Sequence, residues 1–174
     1  LKGQVGSQVF YEFAVYRQRF KDELIPFNAP GACFFVQCFR NAGKSDHDGF
    51  EAGLMYLPIP GLQIQAAYTY SDYRFKKYTV NGVDVSGRRL PGIPEHRLVI
   101  DTTYEHTSGL YGGIEWLYQT AYFLNDTNQV SSAPGANDQK NPSYTVTNLK
   151  LGYHTAILEA WELELFSRLD NLFE

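Results

Sequence analysis

The stretch Leu62-Gln63-Ile64-Gln65-Ala66-Ala67-Tyr68-Thr69-Tyr70 decides the fold. Leu62, Ile64, Ala66, Tyr68 and Tyr70 alternate with Gln63, Gln65 and Thr69, a period of two that only an extended strand turns into one apolar and one polar face. The same alternation recurs in both directions. Gln8 to Phe20 carries Val9, Tyr11, Phe13 and Val15 on one face, and Leu1 to Val5 is the tail of a further strand. Cys33 to Leu57 reads as one bent strand or two, with Phe50, Ala52, Leu54 and Tyr56 together. Arg97 to His106 sets Leu98, Ile100, Thr102 and Tyr104 against Asp101, Thr103 and Glu105. Leu110 to Leu124 sets Ile114, Trp116, Tyr118 and Tyr122 against Glu115 and Gln119. Ser143 to His154 and Leu158 to Phe173 repeat the pattern with Leu149, Leu151, Tyr153, Leu163, Leu165 and Leu169. No segment has helical periodicity of useful length.

The connections alternate between short and long. Short ones fall at Gly6-Ser7, Pro58-Ile59-Pro60-Gly61, Thr107-Ser108-Gly109 and around Thr155-Ala156-Ile157. Long ones, rich in Gly, Pro, Asn, Asp and Ser, run Lys21–Ala32, Thr79–Pro94 and Asn125–Pro142. Turns on one side and loops on the other are the signature of an antiparallel up-and-down barrel in an outer membrane. Alternation alone does not say which face points outward, since a soluble ligand-binding barrel has the same period with its apolar face inside. Tyrosine placement favours the membrane. Tyr56, Tyr104 and Tyr153 lie on apolar faces near the turn ends, and Tyr68, Tyr70 and Tyr122 near the loop ends, as two interfacial girdles require.

Composition narrows the classes further. The chain has 174 residues and a formal net charge of −4, without the basic footprint of a nucleic-acid partner. No run approaches the ~18 apolar residues of a spanning helix, and Leu1 to Phe10 has none of the segments of a signal peptide. Cys33 and Cys38 fit no zinc pattern. A disulfide between them needs a turn, because an odd offset in one strand puts the side chains on opposite faces; the alternative is two free thiols.

Candidate chemistry is sparse. Glu162 and Glu164, together with Glu12, Glu51, Asp101, Glu105 and Glu115, fall on the polar strand faces, with Arg97, Lys150 and Arg168 as partners. A carboxylate pair at i, i+2 on a water-filled wall is a structural surface before it is an acid–base pair. His47, His96, His106 and His154 are scattered near strand ends without metal-ligand spacing. In Asp46-His47-Asp48 the acids point one way and the imidazole the other. No nucleophile elbow or Cys–His signature occurs. The reading is therefore not an enzyme, with no catalytic residue, metal or cofactor, and no substrate-binding residue can be named from sequence.

Five ordered stretches resemble a known family. They are Arg40-Asn41-Ala42-Gly43-Lys44 with Gly49-Phe50-Glu51; Arg89-Leu90-Pro91-Gly92-Ile93-Pro94 with His96-Arg97; Ser108-Gly109-Leu110-Tyr111-Gly112-Gly113 with Trp116; Pro142-Ser143-Tyr144-Thr145 with Leu149 to Tyr153; and Leu163-Glu164-Leu165-Phe166 through Asp170-Asn171-Leu172-Phe173. Together they resemble the C-terminal part of the barrel of TonB-dependent outer-membrane receptors. The resemblance implies residues 1–174 as about seven to eight strands of a larger barrel, with the plug domain and closing strand outside this stretch. It further implies membrane lipid, a small-molecule cargo such as a ferric siderophore, and the TonB complex acting through the plug as partners. The alternatives are a free-standing small outer-membrane barrel with a structural or adhesive role, and a soluble barrel with Leu62, Ile64, Leu98, Ile100, Leu163 and Leu165 facing inward.

Overall fold

The computed structural model describes residues 1–27, 38–41, 43–80, 82–129, 140–158 and 161–173. In chain order the first strands are β1 (Lys2–Val5), β2 (Val9–Lys21), β3 (Leu24–Phe27), β4 (Cys38–Asn41), β5 (Lys44–Tyr56), β6 (Leu62–Lys77) and β7 (Thr79–Val80). There follow β8 (Val83–Asp84), β9 (His96–Glu105), β10 (Leu110–Gln119), β11 (Tyr122–Phe123), β12 (Lys140–Asn141), β13 (Tyr144–Leu158) and β14 (Trp161–Leu169). Eight of them form one sheet in the order β1-β2-β5-β6-β9-β10-β13-β14. Every neighbouring pair in it is antiparallel. The remaining six pair as β3/β4, β7/β8 and β11/β12, one pair inside each long connection.

The register carries the alternation across the whole sheet. One transverse series of partners runs Phe13, Ala52, Tyr68, Leu98 and Tyr118, and another runs Leu54, Ala66, Ile100 and Trp116. Further along, Ile114 stands opposite Leu149, and Leu149 opposite Leu169. Because partners directly opposite share a face, the separate apolar stripes fuse into one continuous surface.

That surface faces away from the concavity. Three recesses, of about 660, 590 and 550 Å³, are lined mainly from the polar side. The first takes Gln63, Asp101, Glu115, Lys150 and Arg168 from five adjacent strands. Side chains from five neighbouring strands enclose one recess only when the sheet curves toward that face. The apolar face is thus convex, and Ile114, Leu151 and Leu165 are 50%, 55% and 61% exposed on it. A soluble barrel with Leu62, Ile64, Leu98, Ile100, Leu163 and Leu165 inside is incompatible with that curvature. A free-standing small barrel would need β1 to meet β14, and among the described residues these two strands lie at opposite ends of the sheet without a shared ladder.

On the turn side, glycines set the geometry. Gly61 (φ 81°) and Gly109 (φ 88°) adopt left-handed backbone, where a Cβ is disfavoured. Their carbonyls accept the amides of Glu105 (2.8 Å) and His154 (2.9 Å), so each short turn is stitched to the next strand pair. A Cβ on either glycine would collide with the carbonyl of that same partner.

Several element limits differ from the sequence reading. Of the two readings of Cys33 to Leu57, two strands hold and one bent strand does not: β4 pairs with β3, and Gly43 (φ 72°) turns the chain into β5. Residues 33–37 lie outside the described residues. Cys38 is disulfide-bonded, which removes the free-thiol alternative for it, while Cys33 lies outside the described residues. Leu110 to Leu124 breaks after Gln119, where the Thr120 amide donates to the His96 carbonyl (3.0 Å), and Tyr122 joins the β11/β12 pair. Tyr122 therefore leaves the girdle, and Tyr118, stacked beside Trp116 at 6.2 Å, takes that level. The turn placed at Thr155 to Ile157 is strand: Thr155 faces Leu163 and Ala156 faces Glu162, with a bulge between Ala156 and Leu158.

A charge on the convex face tests its orientation. Ile100→Arg in the full-length protein should lower unfolding stability in bilayers by about 2–4 kcal/mol, the range for a cation at the membrane midplane. Gln65→Arg, on the concave face opposite Asp101, should shift it by less than about 1 kcal/mol. Urea titration reads both, and equal losses would reverse the assignment of faces.

Candidate functional site

The buried apolar residues sit on the loop side, not in the sheet's middle. Ile25, Phe75, Tyr78, Val80, Val85 and Leu90 form one cluster, with Tyr73 and Ile93 packed against it. They come from β3, the end of β6, the β7/β8 pair and the strap that leads toward β9. Strands β2, β5 and β6 have 13, 13 and 16 residues, longer than the ~9–11 a bilayer crossing needs. Their surplus on the loop side supports this cluster outside the hydrocarbon.

Polar ties lock the three long connections together. Arg40 of β4 pairs with Asp126 at 2.6 Å, and Asp126 is only 8% exposed. The Tyr78 hydroxyl donates to the same carboxylate (3.3 Å), while the Arg40 guanidinium lies 5.5 Å from the centre of the Tyr78 ring. Burial first, and then the Asp126 charge, raise the Tyr78 hydroxyl above its ordinary pKa, so it remains a proton donor at neutral pH. Asn128 reads the backbone of Arg89 from both sides, accepting its amide at 2.7 Å and donating to its carbonyl at 2.9 Å. Arg88 donates to the Thr127 carbonyl, and the Gly92 amide to that of Phe123 (2.8 Å). The Arg89–Glu95 pair (2.5 Å) closes the strap, and its hydrogen bond holds Glu95 below the usual carboxylate range.

Beneath these loops the concave wall is aromatic. Tyr16 and Tyr73 share a hydroxyl hydrogen bond at 2.8 Å. His47 stacks on Tyr73 with ring centres 4.2 Å apart and planes 6° apart, and Phe20 closes its other side at 4.6 Å. Glu23 and the Ser45 hydroxyl hydrogen-bond each other, and both meet His47 at Nε2, at 3.5 and 3.3 Å. A proton relay needs the acid on one imidazole nitrogen and the hydroxyl on the other. This arrangement orients a ring for recognition and lacks that polarity. Flat π faces, phenols and an imidazole beneath a rim of paired arginines and carboxylates suit a ligand that stacks on rings and exchanges hydrogen bonds.

The remaining sequence candidates fall along the wall. Arg168 meets Glu115 at 3.8 Å and Asp170 at 2.6 Å, and Asn148 donates to Glu115 at 2.6 Å. Lys150 pairs with no carboxylate among the described residues; it lies over Tyr111 (5.0 Å) and, farther off, Phe166 (6.0 Å). Arg97 likewise has no ion pair among them. Glu164 accepts from Tyr111, and Glu162 stands beside it on the same face. Glu12 and Glu51 also lie on the concave wall. Each histidine has a partner: His96 meets the Tyr68 hydroxyl (2.7 Å), His106 meets Ser108 (2.8 Å), and His154 meets Glu105 (3.1 Å). Asp46 and Asp48 pair with Lys76 and Arg17 on the convex side, opposite to His47, as the alternation requires. Residues 130–139 of the last long loop lie outside the described residues. Sequence reading missed the Arg40–Asp126 and Asn128–Arg89 ties, which join positions 86 and 39 residues apart.

Comparisons with known proteins agree with this geometry. The family model described as "TonB dependent receptor-like, beta-barrel" matches residues 2–172. The ferrioxamine B receptor of Salmonella typhimurium is 29% identical over 134 residues, covering 77% of this chain and 18% of that protein. The chain thus spans less than a fifth of the length of this curated relative. Among solved structures, the ferric preacinetobactin receptor of Acinetobacter baumannii superposes with a TM-score of 0.71 at 15% identity, over 98% of this chain and 24% of that one. The ferric yersiniabactin uptake receptor of Yersinia pestis gives 0.68 at 17% identity, over 98% and 23%. At such identities the likeness is one of fold.

Two tests bear on the loop ties. Asp126→Ala strands Arg40 and Tyr78 and should weaken protection of the loop amides by about 1–3 kcal/mol, read by hydrogen exchange, with little change in the sheet. Acid should act through Glu95. Its folded pKa is depressed, so its contribution is complete above the ordinary glutamate value and is lost as pH falls through the lower folded one. Protection around the strap should be flat from pH 8 to pH 5 and decline only below about pH 4.

Proposed function

The chain belongs to the TonB-dependent receptor β-barrel family, whose barrels lie in the outer membrane, and from that premise we propose that it is a wall segment of a receptor taking up a ferric siderophore or related iron complex. The observation that carries the reading is the aromatic wall of Tyr16, Phe20, His47 and Tyr73 beneath a tied loop cluster. Such a wall receives a chelate through its ring faces and hydroxyls without altering the chelate's bonds; the segment binds and guides, with no catalytic step. The name of the ferrioxamine B receptor, at 29% identity, supports an iron chelate as cargo. The segment is the C-terminal portion of a longer receptor, in which a plug fills the concavity against Asp101, Glu115, Lys150 and Arg168, and a further strand closes the barrel. The TonB complex supplies energy through the plug.

The experiment is uptake. Iron-starved cells producing the full-length receptor should accumulate radiolabelled iron from a ferric siderophore only when TonB is present. Accumulation independent of TonB, or none from any chelate tested, would refute the reading. In the purified receptor, His47→Ala or Tyr73→Ala should weaken chelate binding roughly tenfold, the loss of one good stacking contact. Titration by tryptophan quenching measures it.

A further inference from the structure

Parity sorts the side chains around the aromatic wall and keeps the strand charges off it. On β2, Tyr16, Gln18 and Phe20 face the concavity while Arg17, Arg19 and Lys21 face away. On β5, Ser45 and His47 face it while Asp46 and Asp48 face away; on β6, Ser71 and Tyr73 face it while Asp72, Arg74 and Lys76 face away. Gly49 adds no side chain, and the Tyr16 ring lies across it. One charge breaks this order. After Lys21 the chain turns at Asp22, whose φ of 59° is left-handed backbone that Asp tolerates better than most residues. The Asp22 amide donates to the Gly43 carbonyl (2.6 Å), and Asn41 Nδ2 donates to the Asp22 carboxylate (3.0 Å), which holds the turn. Glu23 is thereby folded back onto the concave side. There the fully buried Ser45 hydroxyl donates to its carboxylate, and His47 Nε2 stands 3.5 Å from it. The Glu23 side chain remains 23% exposed, so a fixed carboxylate stays within reach of a ligand.

No Lys or Arg meets Glu23 among the described residues. The rim cations are committed elsewhere: Arg40 to Asp126, Arg89 to Glu95, Arg74 to Asp72, and Arg88 to the Thr127 carbonyl. Farther down the wall, Glu51 and Arg97 stand on one rung, on either side of Thr69, with opposite charges. That rung is about 13 Å along β6 from Tyr73 at ~3.3 Å of rise per residue. The charge left over at the level of the rings is the Glu23 carboxylate. We infer that Glu23 sets the charge class of the cargo: the wall takes ferric chelates that are neutral or cationic and disfavours anionic ones. A ferric trihydroxamate has a neutral core, to which a tail adds charge of either sign, whereas a ferric tris-catecholate is triply anionic. At separations of about 6–10 Å near a protein surface, one unit of ligand charge changes affinity roughly tenfold. The inference rests on the reading of the chain as the wall of a ferric-chelate receptor and adds to it the sign of the chelate.

The test uses the purified full-length receptor at about 50 mM salt, where screening over such distances is incomplete. The probes are three linear ferric trihydroxamates that share one iron core and end in an ammonium, an acetamide or a carboxylate, and a ferric tris-catecholate. Tryptophan quenching reads their binding. The parent should bind the hydroxamates in that order, about tenfold apart at each step, and the tris-catecholate more weakly than any of them. Glu23→Gln keeps the size of the side chain and an oxygen for the Ser45 hydroxyl but removes the charge. In it the three hydroxamates should fall within about threefold of one another, while Glu23→Asp should keep their order. A carboxylate that only tied the loop would weaken all three alike in Glu23→Gln and leave their order intact, and that result would overturn the proposal. Equal parent affinities, or a preference for the tris-catecholate, would overturn it too and leave the receptor reading standing. Binding of none of the four would refute that reading itself, and the proposal with it.

Discussion

Inside hydrocarbon no water is available to satisfy a peptide group, and each unsatisfied N–H or C=O costs several kcal/mol. The antiparallel ladder from β1 to β14 meets that constraint, and nearly everything else follows from its register. Once Leu54 faces Ala66 and Ala66 faces Ile100, the apolar positions of distant segments share one convex face. Level with them, Asp101, Glu115, Lys150 and Arg168 are left on the concave one. A slip of one residue in any pair would exchange the two sets. The register thus fixes which side chains meet lipid and which line the concavity.

Two kinds of stability coexist in the chain. The sheet has no buried apolar interior of its own among the described residues; lipid takes that role, and the convex leucines are exposed only with respect to water. The loop side is different. There Phe75 and Val85 are fully buried, and Asp126 gathers Arg40 and Tyr78 into a knot joining elements far apart in sequence. This small water-side core stiffens the long connections above the His47–Tyr73 stack, and a stiff rim is what presents recognition groups at fixed geometry.

How much of this was legible in the sequence depends on how local the determining contact is. The alternation in Leu62 to Tyr70 is local, so the strands, their faces and the short–long order of connections could be read directly. Strand ends were less legible. Thr155 to Ile157 contains Thr and Ile, which suit a strand as well as a turn, and only pairing with Leu163 and Glu162 decides between them. Tyr122 keeps the parity of Trp116, yet the break at Thr120 carries it into another sheet. The tied loops and the aromatic wall beneath them were invisible for the same reason: nothing in the order of residues announces that Arg40 meets Asp126, or that His47 lands on Tyr73.

The central claim is that the apolar face meets lipid and the polar face the interior. Its most direct measurement is a nitroxide scan along β9 of the full-length receptor in bilayers, from Leu98 to Tyr104, with collision rates toward oxygen and toward a water-soluble nickel chelate. The account predicts high oxygen and low nickel accessibility at Leu98, Ile100, Thr102 and Tyr104, and low oxygen accessibility at Val99, Asp101 and Thr103. The opposite phase, or no period of two, would contradict it.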